Sequence, residues 1–396
     1  MKNKNIIRSL VVLLFSLVMC TGCWNKREMN EMAFVMGIGF DKLGKKNYVV
    51  SFQIANPGSF IKTTSLRGDG QAFTVFTGKG RTISAAAANA SKKVSRKLFF
   101  AHTQVIIVGN SLANRGIDGV LDWMDRSMDF RTTTKIAIAR HEHAEELLEV
   151  QTPLEKLSAN HFKDELETSK NQWTEALSMD IDNIIQSLIS KGSEPMISGV
   201  QVLEKKAGKA PNPYPYYLEF KGLAYFKGQK LKKWVDGKDI EGALWAKNSV
   251  SKLIVAADCK TKEDGVSVEV IRTKSAIATP LSHGQPELNV DVKAEGYIKE
   301  VNCPVDLANP KTINRIEKNL NGKVKRQIDD ALHIAQKEST DVFGFGDVLS
   351  RKEPEYWKKV KNNWGHHFSE AKVNVNVHFL LQNSGKRNKP YLSHYK

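Results

Sequence analysis

The sequence predicts a mixed α/β protein of two or three domains, with mixed sheets backed by helices. Three observations carry this. Apolar, β-branched runs alternate with helical periodicities through the first half of the chain, the order that produces crossover connections. Three long alternating runs then follow one another between residues 251 and 299, the pattern of an antiparallel meander. Finally, apolar residues recur at Ile313, Ile316, Leu320, Val324, Ile328, Leu332 and Ala335, the stripe of one long amphipathic helix packed on that C-terminal sheet. A chain of 396 residues has room for two or three hydrophobic cores.

The first element is a leader. Lys2, Lys4 and Arg8 precede an apolar run over 10–18, which is too short for the roughly 20 residues of a membrane-spanning helix, so 1–22 reads as a secretory signal peptide. The small pair Thr21-Gly22 stands directly before Cys23. That placement makes Cys23 the expected first mature residue, carrying S-diacylglycerol and an N-acyl group; Cys20 stands where such signals usually have Leu. Two acyl chains hold a protein on a bilayer stably where one does so only marginally. The mature chain is therefore expected to be membrane-bound, through lipid at Cys23, on the extracytoplasmic face.

An N-terminal α/β domain is expected over 23–205. Strands 32–40 and 48–55 form a hairpin, and 73–76 is a short strand. Ser84 caps an alanine-rich helix running to about Lys97. Strand 104–108, helix 114–128, strand 132–139 and helices 144–150, 155–166 and 179–190 lead to a closing strand at 196–203. Pro211, Pro213 and Pro215 cannot lie within a helix or a central strand and mark a linker. A small middle region over 206–248 holds strands 218–226 and 231–235 and helix 240–246. The C-terminal α/β domain, 249–396, has strands 251–257, 265–278 and 288–299, the long helix 312–337 with Asn321-Gly322 as its expected kink, and a last strand at 373–381.

The formal charge is +16, and three of its positives leave with the leader. An exported basic protein meets anionic headgroups and wall polymers, and the same compartment excludes nucleic acid as a partner. Cys259 and Cys303 remain in the body of the chain, either as two small buried thiols or as a pair, which an oxidising compartment permits.

No catalytic, cofactor or metal site is expected. Gly37-Ile38-Gly39 has Lys42 where a dinucleotide loop needs its third glycine, and 78–82 lacks the glycine spacing of a phosphate loop. His141 and His143 point to different faces of a helix, and His366-His367 has no further ligand nearby. Asp118, Asp122, Asp125 and Asp129 read as a solvated acidic helix face.

Three stretches share one pattern with a known family. They are Gly22-Cys23-Trp24-Asn25 with Gly37-Ile38-Gly39-Phe40-Asp41-Lys42; Lys221-Gly222-Leu223-Ala224-Tyr225-Phe226-Lys227 with Gly242-Ala243-Leu244-Trp245; and Asp341-Val342-Phe343-Gly344-Phe345-Gly346 with Pro354, Trp357 and Trp364. In that order and at those distances they resemble the Ger(x)C family, the C-subunit lipoproteins of spore germinant receptors. Asn25 stands where the family usually has Asp.

The resemblance implies three α/β domains and a non-catalytic subunit, needed for the germination response, on the outer face of the spore inner membrane. It also implies the A and B membrane subunits of the receptor as partners. Phe343, Gly344, Phe345, Gly346, Trp357 and Trp364 are expected to be structural or partner-contact residues. Glycines alternating with phenylalanines let the backbone turn sharply while the rings plug apolar sites, locking the end of the long helix onto the C-terminal sheet. A rival reading of the same elements is a solute-binding lipoprotein that feeds an importer.

Overall fold

The chain builds two sheets in a computed structural model that describes residues 31–57, 71–127, 130–152, 154–168, 176–204, 215–260 and 262–382. The leader, Cys23, Asp129 and the Pro211-Pro213 linker lie outside the described residues. The larger sheet has the order β3-β2-β1-β5-β6-β7-β8-β9, with β4 added on β1. Its strands are β1 (Met32–Leu43), β2 (Asn47–Ala55), β3 (Phe73–Gly80), β4 (Lys97–Phe99), β5 (Val105–Val108), β6 (Lys135–Ala139), β7 (Met196–Glu204), β8 (Tyr216–Lys227) and β9 (Lys230–Val235).

The centre, β1-β5-β6-β7, is parallel, and antiparallel hairpins flank it on both sides. The reason is visible in β5 and β6, whose apolar runs have no polar face and must be covered on both sides. Ile106, Val108, Ile136 and Ile138 face helices α1 (Ile83–Ser91), α2 (Asn110–Arg115), α3 (Asp118–Asp125) and α6 (Ile181–Ser190). Their neighbours Val105, Ile107, Ala137 and Ala139 face α4 (Ala144–Glu149) and α5 (Ser158–Thr168).

Local chemistry moves three expected boundaries. The helix expected over 114–128 is two helices, because Gly116 turns the chain at φ +134°, a conformation that L side chains rarely adopt. Thr82, not Ser84, caps the alanine-rich helix: its Oγ1 accepts from the Ala85 N–H at 3.1 Å. That helix stops at Ser91, which frees 97–99 to pair with β1 as β4.

Within the expected middle region, 206–248, β8 and β9 extend the large sheet through the antiparallel β7–β8 pair, with Val200 opposite Phe220. Helix α7 (Lys238–Ala246) follows and packs on the long helix α8 (Pro310–Lys337).

The second sheet contains β10 (Ile254–Cys259), β11 (Lys262–Ala278), β12 (Leu281–Ser282), β13 (Gln285–Val301) and β14 (Lys372–Leu381). β10, β11 and β13 run antiparallel, and β14 lies parallel to β13, with Val377 opposite Val292. A parallel neighbour requires a crossover, and the helices between β13 and β14 supply it. Helix α8 runs through Asn321-Gly322 as one 28-residue element. At this point Asn321 Oδ1 accepts from the Phe379 N–H at 2.7 Å, and Glu317 Oε1 from the Leu381 N–H at 2.9 Å. Two side chains of α8 thus satisfy the outer edge of β14.

The buried stripe of α8 meets the inner faces of β11, β13 and β14, and the same core takes in Met196, Leu223 and Tyr225 of the large sheet. The two sheets therefore share apolar contents. Cys259 and Cys303 meet as a disulfide, with Cα atoms 6.7 Å apart, joining the end of β10 to the segment that enters α8.

Ile328, fully buried at the middle of this core, tests how much stability α8 supplies. Ile328→Ala is expected to cost about 2–5 kcal/mol, read as a lower urea midpoint with unchanged m-value. A wild-type midpoint would show that the helix is not anchored through its stripe.

Candidate functional site

Of the stretches that share the family pattern, 37–42 lies in β1, whereas 221–227, 242–245 and 341–346 send side chains into the core shared with α8. Beyond α8 the chain makes a sharp turn, then α9 (Phe345–Lys352), α10 (Pro354–Val360), a 3-10 turn at Lys361–Asn363 and α11 (Trp364–Glu370). Pro354 opens α10, where its missing N–H is not needed. The turn is organised by the carboxylate of Asp341, which is 2% exposed. Its Oδ1 accepts from the Gly344 N–H, and its Oδ2 from both the Gly346 N–H and the Trp364 indole N–H, each at 2.8 Å. Gly344 has φ +90°, which turns the chain back toward the carboxylate.

The aromatic side chains form a continuous path. Ring centroids run from Tyr225 to Phe343 at 6.4 Å, Phe345 at 6.3 Å, Phe368 at 6.2 Å, Trp364 at 6.3 Å and Trp357 at 5.6 Å, all within the range of favourable ring contacts. Phe343, Phe345 and Trp364 are buried, and Trp357 is half-buried beside them. Thr279, at the end of β11, donates its hydroxyl to the Phe345 carbonyl at 3.0 Å.

The turn is also stitched to the large sheet. The Glu194 N–H donates to the Asp341 carbonyl at 2.8 Å, and the Asp347 N–H donates to the Gly192 carbonyl at 3.1 Å. A Cβ on Gly346 would lie 2.6 Å from Trp364 Nε1 and 2.7 Å from the Gly192 oxygen, so the two backbones meet only because both residues are glycine. Residues 192–195 lead directly into β7. Burial pushes the Asp341 carboxyl above the usual carboxylate range, while its three hydrogen bonds pull it back. Burial likewise raises Glu194, whose Oε2 accepts from the Gly228 N–H at 2.7 Å.

The fold thus gathers Phe343, Gly344, Phe345, Gly346, Trp357 and Trp364 at one joint. Sequence reasoning missed Asp341 as its centre and Gly192 as its counterpart. A short carboxylate three residues before the first of two spaced glycines was the available signal, since such side chains fold back on the amides of the next turn. Gly192 carried no comparable signal.

The other polar groups weighed in the sequence stand apart from this joint. His143 Nδ1 lies 3.5 Å from Asp41 Oδ1 at the start of α4, and Asp122 pairs with Arg126 on α3. Among the described residues no group of three or more His, Cys, Asp or Glu side chains is placed to hold a metal, and no helix is long and apolar enough to cross a membrane.

Residues 25–202 match the family model "Spore germination protein N-terminal domain", and residues 221–385 match "Spore germination B3/GerAC like, C-terminal". Among curated proteins the chain is similar to spore germination protein KC of Bacillus subtilis strain 168, 32% identical over 98% of each chain. It is also similar to spore germination protein B3 of the same organism, 22% identical over 94% of this chain and 97% of that one. Among solved structures it is similar to the GerBC protein, with a TM-score of 0.55 and 19% identity over 89% of this chain and 98% of that chain.

Asp341→Ala would leave three buried donors without an acceptor, each costing about 1–3 kcal/mol. A loss of at least about 3 kcal/mol is therefore expected by chemical denaturation, with Asp341→Asn, which keeps one acceptor oxygen, in between. Phe345→Ala is expected to cost about 3–5 kcal/mol. Wild-type midpoints in both alanine variants would mean that the joint does not bear on stability.

Proposed function

The chain belongs to the GerAC-like family of spore germination proteins, and from this premise we propose that it is the C subunit of a nutrient germinant receptor. In this reading it is a non-catalytic lipoprotein, held by acylated Cys23 on the outer face of the spore inner membrane and needed for the germination response. Its partners are the A and B membrane subunits. The observation that carries the reading is the full-length likeness to spore germination protein KC, which spans both of the matched regions.

The joint supports the non-catalytic part. Its one buried carboxylate is occupied by three donors, and what surrounds it is ring packing, an arrangement that holds position. Phe343, Gly344, Phe345, Gly346, Trp357 and Trp364 then act as the structural lock that fixes the presented surface. The working division is 23–205, 206–248 and 249–396, with β8 and β9 of the middle part built into the large sheet.

Cys23→Ala tests the anchor. Wild-type protein is expected in the membrane fraction, and the variant in the soluble fraction or as uncleaved precursor, with a lost nutrient response in spores carrying it. A mature N-terminus elsewhere with an unmodified Cys23 would refute the anchor. Spores that germinate normally with the variant would refute the need for it.

A further inference from the structure

Beside the joint lies a cleft of about 780 Å³, within the size range of small-molecule sites. One wall is α6 with the segment that precedes it. The other is the start of α9 together with Lys247, which follows α7.

Its side chains carry an excess of donors. The ammonium of half-buried Lys247 makes no hydrogen bond or ion pair with any described residue, and neither does the guanidinium of Arg351 at the rim. Burial lowers the Lys247 pKa from its ordinary value, and the charges of Asp341 and Asp347 partly offset that. Asp341 cannot serve as its partner, because its oxygens are taken by Gly344, Gly346 and Trp364. Asn183 spends its Oδ1 on the Asp180 N–H, which leaves its amide nitrogen as a further donor.

The hydroxyls lining the cleft are of the opposite kind. Ser187 and Ser350 already donate to the carbonyls of Asn183 and Asp347, so toward the cleft they remain acceptors, while the Ser190 oxygen already accepts from the Gly192 and Ser193 N–H groups. With Lys247 and Arg351 set against the one lining carboxylate of Asp347, the cleft keeps a net positive charge, and with its acceptor hydroxyls it is complementary to an anion that itself carries hydroxyl groups.

We propose that this cleft binds a small hydroxylated anion, with one carboxylate or phosphate group seated between Lys247 and Arg351 and its hydroxyls donating to the serines. The site goes beyond the receptor-subunit reading and rests on these side chains alone, so it stands or falls independently of the Cys23 anchor.

The test is thermal unfolding of the full chain in detergent, titrated with malate, glycerol 3-phosphate or glycerol at constant ionic strength. A saturable upward shift of the midpoint is expected with at least one of the two anions and not with glycerol. A shift with malate alone assigns a carboxylate site, and with glycerol 3-phosphate alone a phosphate site. Lys247→Met and Arg351→Gln are each expected to weaken binding roughly tenfold or more, as removal of one charge-assisted bond does. Lys358→Met, which removes an exposed lysine paired with Glu355 on α10, is expected to bind as wild type. Arg351 lies at the exposed rim, so its variant remains informative should Lys247→Met unfold. The proposal is overturned if neither anion shifts the midpoint, if glycerol shifts it equally, or if Arg351→Gln binds undiminished.

Discussion

The arrangement of this protein depends on one buried carboxylate. An ionised acid in an aromatic shell is costly unless its lone pairs are filled, and Asp341 fills them with two backbone amides and an indole. Each donor belongs to a different step of the chain: the turn after α8, the first residues of α9, and the start of α11. Satisfying the acid therefore fixes three directions of the backbone at once. Because the Asp341 carbonyl also receives the Glu194 N–H, the loop leading into β7 is fixed in the same operation. A single satisfied charge thus sets how the large sheet and the C-terminal sheet meet.

Helix α8 plays the complementary part. Its apolar stripe fills the core under β11, β13 and β14, while Glu317 and Asn321 on its flank accept the edge amides of β14. With two of its edge amides taken, β14 is a poorer template for another strand.

What could be read in the sequence was what repeats. The stripe of α8, the alternation of β11 and β13, and the β-branched runs of β5 and β6 each follow from a period or from full burial, and all lie close to where they were expected. What depended on a single residue was less legible. The break at Gly116 needs a backbone angle that no periodicity reports, and Thr82 and Ser84 are chemically equivalent caps until the chain direction is known. β7 and β8, on either side of the proline-rich stretch, pair across the large sheet, because prolines forbid strand structure only where they stand. At the joint, the aromatic and glycine residues were visible as a motif, but Asp341 gained its meaning only from Trp364, 23 residues away.

The joint and the cleft are parts of one construction. Phe343 and Gly344 face the cleft, and Asp347, whose N–H reaches Gly192, lines it as well. The glycine-to-glycine approach brings the end of α6 against the start of α9 and so sets the cleft's width. Two acids act on Lys247, Asp341, whose oxygens the joint has already claimed, and Asp347, which lines the cleft and hydrogen-bonds to neither Lys247 nor Arg351. A lysine left without its nearest counterion retains its demand for an anion, and the open side of the cleft is where one can enter. A solute bound there would touch Ile277 of β11 and the Phe343-Gly344 turn of the joint, and would thereby stiffen or shift the surface that the joint holds in place.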